Sequence, residues 1–154
     1  MKKILKAISL CLLLAVFNYG QGKYENNQFL INALVEENPS VNSQPIFMSL
    51  PASDGFAPNI SVQVQQYSGS LNDYAELSIN QFDQMKLNVI KKNVNQTNII
   101  FEYSGVMYDR NLHWYAAAYK KNNSVFLITA TSLESQWNAL SQKLISCVNS
   151  FKLK

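Results

Sequence analysis

Two alternating runs on either side of an Asn-Asn pair limit this chain more than any other feature. Leu112 to Lys120 reads LHWYAAAYK and Ser124 to Thr131 reads SVFLITAT, with Asn122 and Asn123 between them. Adjacent asparagines tolerate positive φ, so a tight hairpin is the natural connection. Alternation puts Leu112, Trp114, Ala116 and Ala118 on one face and His113, Tyr115, Ala117 and Tyr119 on the other. A two-residue loop then sets Ala118 opposite Leu127 and Tyr119 opposite Phe126. The preceding run TNIIFEYS supplies Ile99, Phe101 and Tyr103 to the tryptophan face, and Ile100, Glu102 and Ser104 to the histidine face.

Other strands follow from the same period. NISVQVQ places Ile60, Val62 and Val64 on one side, and LNVIKKNV and PIFMSLP read as further strands. ASDGFAPN is a turn centred on Asp54-Gly55. Between Ser70 and Lys86 the period changes: Leu71, Tyr74, Ser78, Phe82 and Met85 make a helical stripe, with Ser70 capping it and Asp73 in its first turn. A second stripe, Leu133, Trp137, Leu140, Leu144, Val148 and Phe151, predicts a closing helix over 133–151, with Thr131 and Glu134 in a capping-box pattern. The expected fold is α+β, a central antiparallel sheet of five to seven strands sandwiched by helices.

The N-terminus carries a targeting signal. MKKILKAISLCLLLAVFNYGQG has three lysines, an apolar run from Ile8 to Phe17, and then small residues. The run is shorter than the roughly 20 residues a spanning helix needs, so residues 1–22 read as a cleaved signal peptide. Cys11 raises lipid anchoring, but Leu10 is bulky where lipoprotein processing prefers a small residue. Residues 23–44 form an N-terminal arm whose QFLINALV reads as a first strand or a short helical turn, and residues 45–154 form a single domain. The expected location is the periplasm or cell exterior, with no transmembrane helix after leader cleavage.

Leader removal takes away three lysines and no acid, which turns the formal +3 into zero. That balance, with only Lys91-Lys92 and Lys120-Lys121 as basic pairs, excludes the electrostatic footprint of a nucleic-acid binder. Only Cys147 remains, so no intrachain disulfide is available. It lies in the second stripe, where a thiol is inert packing. One histidine without a cysteine pair is too few ligands for zinc, and the sequence has neither a calcium loop nor a glycine-rich phosphate loop. No metal or cofactor site is expected.

Glu102, Ser104, His113 and Tyr115 are the residue types for acid–base or nucleophilic work on one sheet face. Their spacing is what two paired strands produce, and Ser104 lacks a nucleophile-elbow pattern. They are read as a possible ligand or partner surface, together with Phe56 beside the Asp54-Gly55 turn, and not as catalytic residues.

The strand Phe56-Ala57-Pro58-Asn59-Ile60-Ser61-Val62, the helix carrying Tyr74, three strands ending in VFLITATS and a last helix ending in VNSFKL together resemble the PsbP-like and DcrB-like superfamily. The resemblance covers about Pro45 to Leu153. It implies an antiparallel sheet between helices and a non-enzymatic accessory role in the bacterial envelope, with another envelope protein as partner. Two departures stand out: the proline–tryptophan element of a longer N-terminal hairpin is missing, and DcrB-type proteins are lipid-anchored. The alternative function is a small-ligand module using the tyrosine-rich face around His113.

Overall fold

A computed structural model describes residues 22–34 and 46–154. Residues 1–21 of the leader, Cys11 among them, and residues 35–45 lie outside the described residues. Six strands build the main sheet: β3 (Ile46–Ser49), β4 (Asn59–Gln66), β5 (Asn88–Val94), β6 (Asn98–Met107), β7 (Arg110–Lys121) and β8 (Ser124–Leu133). Their order is β3-β4-β8-β7-β6-β5, antiparallel throughout. The helices are α1 (Leu71–Gln84) and α2 (Glu134–Asn149).

The β7–β8 register matches expectation: Ala118 pairs with Leu127, and Tyr119 with Phe126. Asn122 takes a φ of 54°, as the tight connection requires. On the other side of β7, Phe101 pairs with Ala116, Tyr103 with Trp114, and Ser104 with His113. The Asp54-Gly55 turn also forms. Both residues have positive φ, and Ser53 and Phe56 exchange two backbone hydrogen bonds of 3.0 Å.

One face of the sheet meets α1. Tyr74 and Ala75 pack there with Ile99, Phe101, Trp114, Ala116 and Ala118. Ser70 caps this helix as expected: its hydroxyl accepts from the Asp73 N–H at 3.1 Å, and the Asp73 carboxylate accepts from the Ser70 N–H at 2.9 Å. Hydrogen bonds from Ser70 lower the Asp73 carboxyl pKa below its ordinary value. Met85 is a correction. It follows the helix as its C-cap and is exposed, because Lys86, at φ 57°, turns the chain out of the helix towards β5.

The opposite face meets α2 and a second, three-stranded sheet that the sequence only partly disclosed. Strands β1 (Lys23–Glu25), β2 (Phe29–Asn32) and β9 (Lys152–Leu153) pair in the order β1-β2-β9. Residues 23–34 therefore belong to the domain, since Tyr24, Phe29 and Ile31 are in the same core as Trp137, Leu144 and Val148.

The head of α2 also differs from expectation. Thr131 does not cap it, because β8 runs on through Ser132 and Leu133, which pair with His113 and Leu112. Leu133 is the N-cap, and its N–H donates to the Gln136 side-chain oxygen at 3.2 Å. Ladder pairing with β7 satisfies backbone groups that a helix starting earlier would leave open.

Both edges of the main sheet are guarded. Strand β3 is short, and β5 carries exposed Lys91 and Lys92 beside a register shift between Val89 and Lys91. Lys91 and Lys92 lie in mid-strand with exposed side chains. Lys120 instead donates its ammonium to the Tyr67 carbonyl at 2.8 Å.

Candidate functional site

The histidine face brings together residues from three elements. His113 on β7 is 4 % exposed. Its Nε2 lies 3.0 Å from Glu102 Oε1 on β6, and its Nδ1 lies 3.0 Å from Glu134 Oε2 at the start of α2. Trp137, one turn further along α2, stacks on the imidazole with centroids 4.0 Å apart and planes 15° apart. The Glu102 side chain is 22 % exposed and that of Glu134 is 49 % exposed.

Hydrogen-bond chemistry constrains what this cluster does. Only the doubly protonated ring can donate to both carboxylates, since the neutral ring turns one lone pair towards an oxygen. The imidazole is held between two carboxylate oxygens, with its flat face against an indole. Both ring nitrogens are engaged, so neither is available to activate a hydroxyl. The histidine and the two glutamates also do not converge on one point. Among the described residues, no group of three acids, histidines or cysteines is arranged to hold a metal ion.

The other candidate residues fall around this clamp. Ser104 is half-buried beside His113 in the β6–β7 register, and Glu102 pairs with Tyr115. Tyr115 is buried and donates its hydroxyl to Asn149 Oδ1 at 3.2 Å, away from the imidazole. Phe56 is half-buried against the α1-side cluster, apart from the other four. Its turn is stapled in place: Gln136 Nε2 donates to Ser53 O and Oγ at 3.0 and 2.8 Å, and Arg110 Nη1 donates to Gly55 O at 2.9 Å. Sequence reasoning missed Glu134 and Trp137 as neighbours of His113. The helical period puts them on one side of α2, but only the fold sets that side over His113.

Cys147 is buried, and its Sγ donates to the Asn32 carbonyl at 3.1 Å. Burial pushes the thiol from 9.0 up to about 11. A raised folded pKa stabilises the fold below the unfolded value and loses that contribution as pH climbs through the folded one. Urea titrations of the protein and of Cys147→Ala should therefore converge by about 2 kcal/mol between pH 9 and 11. A constant difference across that range would remove the thiol as the cause.

The sequence matches no protein-family model and no curated protein. Solved structures do share the architecture. The solution structure of PsbP (CyanoP) from Synechocystis sp. PCC 6803 superposes with a TM-score of 0.55 at 11% identity, covering 86% of this chain and 91% of that one. The fold is PsbP-like. LpqN, described as involved in cell envelope biogenesis of Mycobacterium tuberculosis, shares this PsbP-like architecture with a TM-score of 0.53 at 9% identity, covering 82% of this chain and 83% of that one. PA94, a protein of unknown function from Pseudomonas aeruginosa, gives 0.54 at 14% identity over 62% of this chain and 73% of that one. Such identities carry the fold alone. Among the described residues of this PsbP-like chain, no helix is long and apolar enough to cross a membrane.

Proposed function

We propose that this protein is an exported, non-catalytic accessory domain of the bacterial envelope that acts by contacting another envelope protein. Export rests on the leader pattern of residues 1–22, and an envelope setting is the one named for LpqN, which has the same fold. The non-catalytic reading is supported by the clamp on His113, whose nitrogens are both occupied. The small-ligand alternative around Glu102, Ser104, His113 and Tyr115 has Trp137 stacked over the imidazole where a ligand would sit.

The observation that carries the partner reading is the tip of the β6–β7 hairpin. Tyr108 is 89 % exposed and has a φ of 52°, next to Asp109 at 59°. A bulky residue in left-handed backbone is an outlier that costs about 1 kcal/mol where glycine or asparagine would sit comfortably. Val106, two residues earlier, is 63 % exposed. Arg110, which pairs with Met107 next to the turn, ties this tip to the Gly55 carbonyl. A strained, solvent-facing aromatic on a rigid support is a contact residue kept at the expense of stability.

Tyr108→Gly should leave stability within about 0.5 kcal/mol in urea denaturation, because relief of the left-handed strain offsets the entropy glycine adds to the unfolded chain, while weakening partner contact. A photocrosslinker at position 108, tested in the native envelope, should give a discrete adduct that the same group at exposed Glu76 does not. Identical adducts from both positions would defeat the reading. So would a hydrolase activity of the purified protein that His113→Ala abolishes with the fold intact.

A further inference from the structure

The face of the sheet opposite His113 contains a feature that the partner reading leaves unused. Between α1 and strands β4, β6, β7 and β8 lies a cavity of about 180 Å³. Phe82, Phe101 and Tyr103 give it aromatic walls, Ala116 sits at its floor, and the exposed Leu77 and Gln81 lie on the α1 side. The floor follows from the alanine run: a larger residue at 116, directly opposite Phe101, would occupy this space.

The polar groups of the cavity separate into those that are spent and one that is not. The Tyr74 hydroxyl donates to Gln65 Oε1 at 2.7 Å, and Ser78 Oγ donates to the Tyr74 carbonyl at 2.8 Å. Tyr103 is 9 % exposed and held rigidly, stacked on Phe82 at 4.2 Å and on Trp114 at 5.1 Å. Its hydroxyl has no hydrogen-bond partner among the described residues. Nor is it sealed in, because no side-chain oxygen or nitrogen among those residues is both fully buried and unpaired. Tyr103 lines the cavity. Burial, with Tyr74 as a lesser contributor, raises the Tyr103 phenol well above the usual tyrosine range, so at neutral pH it is a standing donor.

We propose that this cavity is a binding site for a small single-ring aromatic molecule carrying one hydrogen-bond acceptor, which the Tyr103 hydroxyl receives. The size decides for one ring, since apolar cavities of about 150 Å³ accept benzene. The walls decide for an aromatic, because Phe82 and Phe101 already meet edge to face, with centroids 5.4 Å apart, and present further ring edges and faces. The phenol decides for an acceptor, because the Tyr74 and Ser78 hydroxyls of the lining already donate within the protein, whereas the Tyr103 hydroxyl is free to donate to a carbonyl oxygen.

Acetophenone and ethylbenzene are near-equal in shape and differ in that acceptor. Titrated into the full protein and followed by amide chemical shifts, both should saturate, acetophenone more tightly, with shifts centred on α1, β6 and β7. Tyr103→Phe should weaken acetophenone about tenfold and leave ethylbenzene unchanged. Ala116→Leu should abolish binding of both by filling the floor. The proposal is overturned if neither probe saturates, if the shifts centre on α2, or if the folded Ala116→Leu protein binds as before. It also falls if Tyr103→Phe, which keeps the ring stack, leaves the preference for acetophenone intact. These readouts are independent of the hairpin tip, so either assignment can fail without the other.

Discussion

His113→Ala is expected to lower stability by about 3 kcal/mol, measured by urea denaturation at neutral pH. The substitution removes the imidazole from between Glu102 and Glu134, leaves two carboxylates facing one gap, and strips Trp137 of its stacking partner. The figure combines two lost hydrogen bonds to carboxylates with the lost ring stack, and stays moderate because the Glu134 carboxylate reaches solvent. Glu102→Gln should cost more than Glu134→Gln for the same reason. Replacing all three together, His113→Phe with Glu102→Gln and Glu134→Gln, should recover much of the loss, since an apolar ring on Trp137 needs no hydrogen-bond partner. If His113→Ala is silent, the clamp is decorative and the reasoning against catalysis loses its structural basis.

Phe29→Ala is expected to cost roughly 4 kcal/mol, in the range for deleting a buried phenyl ring. Phe29 is fully buried, with ring centroids 5.6 Å from Tyr24, 5.1 Å from Phe151 and 6.1 Å from Phe126. Phe126 belongs to β8, so this aromatic knot ties the small sheet to the large one. Amide exchange should therefore accelerate in β1, β2 and β9 far more than in β6, β7 and β8. Uniform acceleration would mean that the two sheets open as one unit.

The parts of the fold that were legible in the sequence are those set by local periodicity. The β7–β8 register followed from a two-residue turn and alternation, and the Ser70–Asp73 cap from residue chemistry three positions apart. The small sheet was harder to read. Strand β9 has two residues and no period, and it forms because Phe151 is buried against Phe29 and Phe126, partners far away in sequence. The site shows the same division. Glu102 and His113 were brought together by strand pairing alone. Glu134 was read as a capping residue for Thr131, whereas two more ladder pairs carried β8 to Leu133, gave the cap to Gln136, and left the Glu134 carboxylate for the imidazole. Local chemistry proposed one partner and tertiary geometry supplied another. The cavity beside Tyr103 was invisible for a similar reason: an alanine run signals close packing, and only the placement of α1 shows where the packing stops.

The lysines of β5 bear on how such molecules behave when crowded. Two copies meeting along that strand in antiparallel fashion would set ammonium groups against ammonium groups, and the offset at Val89 would break the match of donors and acceptors between them. Self-templated growth of the sheet is thereby obstructed on that flank, and high concentration should favour separate particles over fibrils.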